Sequence, residues 1–265
     1  MQPKTNRYSS LMLHIFKTGY GKGAREFTFS RESITDAAGK LGIALPKNLG
    51  DVVYSFRYRT QFPDFIVKTQ PKGYEWVIEG AGKSMYRFRL VPLNRILPRE
   101  ELLSIKIPDS TPEIIGNYAL GDEQAILAKV RYNRLIDMFL GVTAYSLQNH
   151  LRTTVKGIGQ IEIDEIYVAI DKHGQQFVIP VQAKGGHDQH GVVQTLQDIA
   201  CCAAKFPNLI CRPVSVQFID SSRIAMFELV EEGGTVKVAD EKHYELVPHS
   251  DITPEDLIRY QQIAK

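Results

Sequence analysis

Two short apolar runs constrain this chain most: Ile161-Glu162-Ile163-Asp164-Glu165-Ile166-Tyr167-Val168 and Val178-Ile179-Pro180-Val181-Gln182-Ala183-Lys184, separated by Asp171-Lys172-His173-Gly174. β-branched residues bounded by a Gly-containing turn predict a pair of strands. Alternate residues of a strand share a face. Glu162 and Asp164 therefore point one way, and Gln182 and Lys184 share a side while Val181 and Ala183 turn to the opposite layer. Pairing through the turn brings Asp164 close to Gln182 and Lys184.

An acid beside a polar-x-Lys triplet has the parts of a divalent-cation site. Mg²⁺ prefers oxygen ligands and keeps several waters. Asp164 offers a carboxylate, Gln182 an amide oxygen and Ala183 a backbone carbonyl. A cation held there acidifies a bound water and stabilises charge developing on a phosphate. Lys184, a compact point charge, would orient that water or neutralise the phosphate.

The rest of the chain divides by charge. Residues 1–104 hold 17 Lys/Arg against 9 Asp/Glu, so the net +2 conceals a basic first part and an acidic remainder. That asymmetry suits one part approaching a polyanion and another gathering carboxylates around metal. At 265 residues with 43% hydrophobic and 23% charged residues, the chain can form two modest soluble domains. No run approaches 18 apolar residues and the N-terminus lacks a signal-peptide core. Cys201, Cys202 and Cys211 have neither zinc nor disulfide spacing. They read as reduced thiols of a cytoplasmic protein.

Residues 1–92 read as three helices and a β-hairpin. Helix is expected over Tyr8–Phe16, after the N-cap Ser30, and from Pro46 to Arg57 and Arg59, with a short strand at Glu26–Phe29. Further strands are expected at Phe65–Lys68, Tyr74–Ile78 and Tyr86–Leu90. Helices followed by a basic hairpin predict a winged helix-turn-helix, whose third helix would enter the major groove of double-stranded DNA. Lys47, Asn48, Arg57, Arg59 and Lys72 are the candidate DNA contacts, chosen by position and charge; a small scaffold with solvated arginines is the alternative.

Residues 93–118, with Pro98, Pro108 and Pro112, read as a linker. In residues 119–265 helix is expected from near Glu123 to Phe139, then from Val142 to about Val155. The strand pair follows, then a helix from Asp188 to Ala204 with the stripe Val192, Val193, Leu196, Ile199 and Ala203. Strands are expected at Ser215–Ile219 and Ala225–Val230, a hairpin turn at Gly233-Gly234, and a last helix capped by Thr253 with Pro254 at its first position. This order predicts an α/β sandwich with a mixed central sheet.

Asp164…Gln182-x-Lys184 resembles the active-site signature of the PD-(D/E)xK nuclease superfamily, which includes many restriction endonucleases. The resemblance covers about 25 residues directly. It extends over 113–245 with the flanking helices. It implies a restriction endonuclease-like α/β/α core and Mg²⁺-dependent hydrolysis of DNA. It further implies a metal-binding Asp on one strand, an acid-x-Lys triplet on the next, and an additional Glu on a preceding helix. Asp164 and Lys184 match; Gln182 departs from the usual Asp or Glu. Glu123 is the candidate for the additional acid, with Glu162 and Glu165 as rivals.

The resulting expectation is a restriction-type endonuclease working as a symmetric homodimer on duplex DNA. A catalytically inactive DNA-binding regulator, dimerising through the nuclease-like domain, is the alternative that Gln182 keeps open; an RNA nuclease is a third. Gln194 and Gln197 read as polar-face residues within reach of a DNA backbone. His187 and His190 lack a third zinc ligand nearby. Gly19–Gly23 lacks the Gly-Lys-Ser/Thr ending of a nucleotide-binding loop. Tyr145, Asn149 and His150 read as helix residues without a nucleophile to serve.

Overall fold

The computed structural model describes residues 7–58, 60–92, 96–118, 123–184, 191–233 and 235–263. The chain divides into two compact units, residues 1–93 with 154–160 and residues 94–153 with 161–265. The fold is mixed α/β: a small N-terminal unit with a three-stranded antiparallel sheet, and a larger unit with an eight-stranded mixed sheet and helices. Among the described residues no helix is long and apolar enough to cross a membrane.

The small unit runs α1 (Arg7–Gly19), β1 (Glu26–Ser30), α2 (Glu32–Leu41), α3 (Gly50–Tyr58), α4 (Asp64–Val67), β2 (Tyr74–Gly80) and β3 (Met85–Pro92). Its strands lie in the order β1-β3-β2. α1 buries Leu11, Met12, Ile15 and Phe16, one face of a helical period. Ser30 and Ser33 exchange backbone N–H to hydroxyl hydrogen bonds, each 3.3 Å, which starts α2; Gly42, in the left-handed region at φ 64°, ends it. Phe16, Phe27, Trp76 and Phe88 pack edge-to-face and stacked at the centre.

Phe65–Lys68 is helical, not the expected strand. The Pro63 carbonyl accepts from the N–H groups of Ile66 and Val67, and Asp64 begins the turn, so one apolar residue, Ile66, is buried instead of an alternating set. A four-residue apolar run is too short for its period to tell helix from strand.

The large unit contains β4 (Ser104–Pro108), α5 (Glu113–Tyr118), α6 (Glu123–Tyr132), α7 (Leu135–Leu140), β5 (Thr143–Val155), β6 (Gly159–Ile170) and β7 (Gln176–Lys184). Then come α8 (Val192–Lys205), β8 (Ile210–Cys211), β9 (Val214–Phe218), β10 (Arg223–Glu232), β11 (Thr235–Val247) and α9 (Pro254–Ile263). The sheet order is β4-β11-β10-β9-β7-β6-β5, with β8 pairing β7. β6 and β7 pair antiparallel with Glu165 opposite Val181, whereas β7 and β9 run parallel with Lys184 opposite Gln217. The central core packs Ile126, Leu127, Leu135 and Phe139 of α6 and α7 against Tyr167, Ile179, Val181 and Ala183. Thr253 caps α9 as expected, exchanging hydrogen bonds with Asp256.

One expectation fails here. Val142 to Val155 is not a helix but strand β5, at the edge of the sheet beside β6. Its central residues are exposed on both faces, so they carry no apolar alternation, and His150 within the strand has φ 55°. The segment 93–118 does more than connect: β4 adds a parallel strand to β11, and the Asn133 side chain holds Ser110 and Thr111. Pro108 ends β4, while Ile105 and Ile107 pack on the core.

Candidate active site

The side chains that converge at the β6–β7 pair come from four elements, two strands and two helices. β6 carries Asp164, β7 carries Gln182 and Lys184, and helices on either side bring Glu123 and Asp198. Asp164 is buried, and its Oδ2 accepts the Ala183 backbone N–H at 2.9 Å. That bond ties the carboxylate to the middle of the Gln182-Ala183-Lys184 triplet. Burial pushes the Asp164 carboxyl above its usual range, opposed by the Lys184 charge and the Ala183 N–H. Lys184 Nζ lies 3.6 Å from Glu123 Oε1, at the first residue of α6.

Gln182 is only 1% exposed. Its Nε2 donates to the Glu162 carbonyl at 3.1 Å and to Asp198 Oδ2 at 3.0 Å, and its Oε1 accepts from Gln194 Nε2 at 2.6 Å. All three contacts fix the same orientation of the amide. The reverse would set the oxygen against two acceptors and leave Gln194 facing an amino group.

Asp198, which sequence reasoning missed, is the most confined carboxyl of the group. It is 2% exposed on α8, and its Oδ1 has no hydrogen-bond partner among the described residues. Burial drives its carboxyl well above the usual range, partly offset by the Gln182 hydrogen bond; the Asp164 charge adds to the rise. The buried face of α8 comprises Val192, Thr195, Gln197, Asp198, Cys201 and Cys202, whereas Ala203 of the expected stripe is exposed. Asp198 four residues after Gln194 was the available signal, one helical turn apart on the same face.

The rivals to Glu123 have other partners. The Glu162 carboxylate meets His150 Nε2 at 2.9 Å and Arg152 Nε at 3.1 Å. Glu165 is fully buried on the opposite face. Arg131 donates to both its oxygens, at 2.9 and 3.1 Å, and Ser146 donates to it at 2.5 Å. Gln197 is buried and Gln194 bonds Gln182, so neither is an ordinary polar-face residue. Asn149, now on β5, accepts from Arg131. Gly185, Gly186, His187, Asp188 and His190 lie outside the described residues.

Of the candidate DNA contacts in the small unit, Lys47 and Lys72 are exposed. Asn48 is exposed too, but its amide serves α3: Oδ1 accepts from the Gly50 N–H and Nδ2 donates to Asp51. Arg57 is half-buried, and Arg59 lies outside the described residues. In the hairpin, Arg87 and Arg89 both donate to Glu79.

Asp164, Glu123, the Gln182 amide and the Ala183 carbonyl offer only oxygen donors, the chemistry of a hard cation such as Mg²⁺. Among the described residues no three His, Cys, Asp or Glu side chains stand together as a ready cage. Mg²⁺ is commonly held by one or two carboxylates with waters and substrate phosphates. The buried, unpartnered Oδ1 of Asp198 beside this set fits a cation as well. The chain matches no protein-family model, no curated protein and no solved structure.

Proposed function

We propose that this chain is a metal-dependent endodeoxyribonuclease of restriction type, cutting duplex DNA at the β6–β7 site. The observation that carries the reading is the convergence on Lys184. Its ammonium lies 3.6 Å from Glu123, and the adjacent Ala183 N–H holds Asp164 at 2.9 Å. One cation flanked by two carboxylates at a strand end is an arrangement suited to binding a phosphate together with a divalent ion.

Asp164, Glu123, the Gln182 amide oxygen and the Ala183 carbonyl would hold Mg²⁺, which when bound supplies an acidified water and neutralises phosphate charge. Asp164 is held in register by its bond to Ala183, so its outer oxygen is oriented before any ligand arrives. Lys184, mostly buried, presents its ammonium as a donor to the scissile phosphate or the attacking water. The small unit, with four helices preceding a hairpin, would act as a winged-helix DNA-binding domain. A homodimer would match a two-fold DNA site. The reaction would proceed in the cytoplasm, where Cys201, Cys202 and Cys211 remain thiols.

One observation favours the second reading, an inactive DNA-binding regulator. The Gln182 oxygen already accepts from Gln194, and an amide contributes one charge fewer than the acid of the resembled signature. Supercoiled plasmid incubated with the protein and Mg²⁺ separates the two. The nuclease reading expects nicked or linear product from wild type, from methylated or unmethylated plasmid, and none from Asp164→Ala or Lys184→Ala. A wild type that leaves every DNA substrate intact while binding it supports the regulator. Cleavage of structured RNA alone would move the reading to ribonuclease.

A further inference from the structure

The position of Gln182 raises a question of charge. A site built to hold a divalent ion against a phosphate gains from each added carboxylate, yet the triplet supplies an amide. That amide is not idle: it is committed on three sides, and one of its two donations goes to Asp198 Oδ2 at 3.0 Å.

Asp198 is hard to explain as a structural residue. A helix buried against a sheet ordinarily presents apolar side chains there, as Val192, Cys201 and Cys202 do on the same face. A carboxyl that is 2% exposed with one oxygen unpartnered among the described residues is costly to bury. Such a group in a folded chain calls for a ligand, a water or an ion. Asp164 and Lys184 are the charges that act on it from the strand pair.

We infer that Asp198 joins Asp164 in the divalent-cation site, with Oδ1 facing the ion, and that Gln182, its oxygen already held by Gln194, serves as the positioning residue of Asp198 in place of acting as a ligand itself. The inference rests on the nuclease reading of the same site and deepens it. Gln182 grips Oδ2 and anchors itself to the Glu162 carbonyl and to Gln194, which fixes the Asp198 carboxyl and leaves its other oxygen buried and unpartnered among the described residues. The negative charge absent from the triplet is then supplied across the layer from α8. A glutamine suits that task and a glutamate does not, because only the amide donates to both the carbonyl and the carboxylate.

The test is calorimetric titration of Mn²⁺ into the metal-free full-length protein, with thermal unfolding of the same samples. Asp198→Asn keeps an acceptor for Gln182 Nε2 and removes the charge. It is expected to bind Mn²⁺ at least tenfold more weakly while its metal-free Tm is equal to or above that of wild type. Gln182→Met, which removes the grip, is expected to lose about 10–100-fold in affinity, the range for residues that orient metal ligands. A merely structural Asp198 would instead lower the Tm and leave Mn²⁺ affinity unchanged, which overturns the inference. Should Asp198→Asn not fold, unchanged affinity in Gln182→Met overturns it. If Asp164→Asn abolishes binding while Asp198→Asn binds like wild type, the inference fails and the nuclease reading stands. A wild type that binds no Mn²⁺ sinks both.

Discussion

Gln182 Nε2 and Asp198 Oδ2 meet at 3.0 Å between strand β7 and helix α8, both side chains closed to water. Because the same Nε2 also donates to the Glu162 carbonyl, the site is built around a donor at this position. Gln182→Glu therefore places a second carboxylate against Asp198 and leaves the Glu162 carbonyl facing an acceptor. The expected cost at neutral pH is about 2–4 kcal/mol of stability, from lost donation and buried like charge. Urea unfolding of the metal-free protein measures it, and a loss under 1 kcal/mol would show that the amide donations matter little.

Asp164 and Asp198 both hold their protons to higher pH than an ordinary carboxyl, burial being the first cause in each. Between about pH 4, where an unfolded Asp ionises, and their folded pKa values, the folded chain carries protons that the unfolded chain has released. The stability contributed by these two groups is thus full below that window and declines as pH rises through it. Asp220, Glu241 and Asp256 are shifted the other way, so the informative quantity is a difference. The stability of Asp198→Asn relative to wild type should grow with pH from 4 to 8. Parallel curves would mean that Asp198 ionises normally in the fold.

On the opposite face of β6, Arg131 forks onto both oxygens of the fully buried Glu165. Removing the guanidinium leaves the buried carboxylate with Ser146 as its remaining donor among the described residues, so Arg131→Ala should cost about 3–5 kcal/mol. Glu165→Gln, which keeps the shape and removes the charge, should cost less. Urea midpoints of the two variants rank them, and the reverse order would mean that the pair is not what retains the charge there.

The strand pair itself was legible because β6 and β7 are central, and a buried strand must be apolar and β-branched whatever surrounds it. Its pairing through the turn at Asp171–Gly174 was expected to bring Asp164 close to Gln182 and Lys184, and the Asp164 carboxylate accepts from the Ala183 N–H between those two residues. β5 was not legible. An edge strand with both faces exposed need satisfy neither period, and Thr143, Thr153 and Thr154 were its remaining signal. Asp198 was hidden for a related reason. The apolar stripe on α8 was read as its inner face, and a carboxyl at a core position violates the pattern from which faces are inferred.

For the small unit, the DNA-binding reading makes a prediction in salt. Lys47 and Lys72 are exposed and each would neutralise one phosphate. Replacing both with Gln should flatten the slope of log K against log salt by about 2, near 0.9 per lost contact. Fluorescence anisotropy with duplex DNA from 50 to 300 mM salt would show it. An unchanged slope removes these two lysines from the interface.

Gly80 closes strand β2 where the chain passes the backbone of Ile158. A Cβ built on Gly80 would stand 1.8 Å from the Ile158 carbonyl oxygen and 2.9 Å from its carbon, distances no side chain adopts. The obstacle is backbone, so a rotamer change cannot relieve it; either β2 or residues 154–160 must move. Gly80→Ala, a single added methyl, should therefore destabilise by about 1–3 kcal/mol, the range for overpacking that forces a backbone shift. Gly116 carries no such restraint, since a Cβ there meets nothing within 4 Å, and Gly116→Ala on α5 should be neutral or slightly stabilising. Thermal unfolding of the two variants side by side isolates the contact: a Gly80→Ala protein as stable as Gly116→Ala would show that Ile158 does not pack against β2.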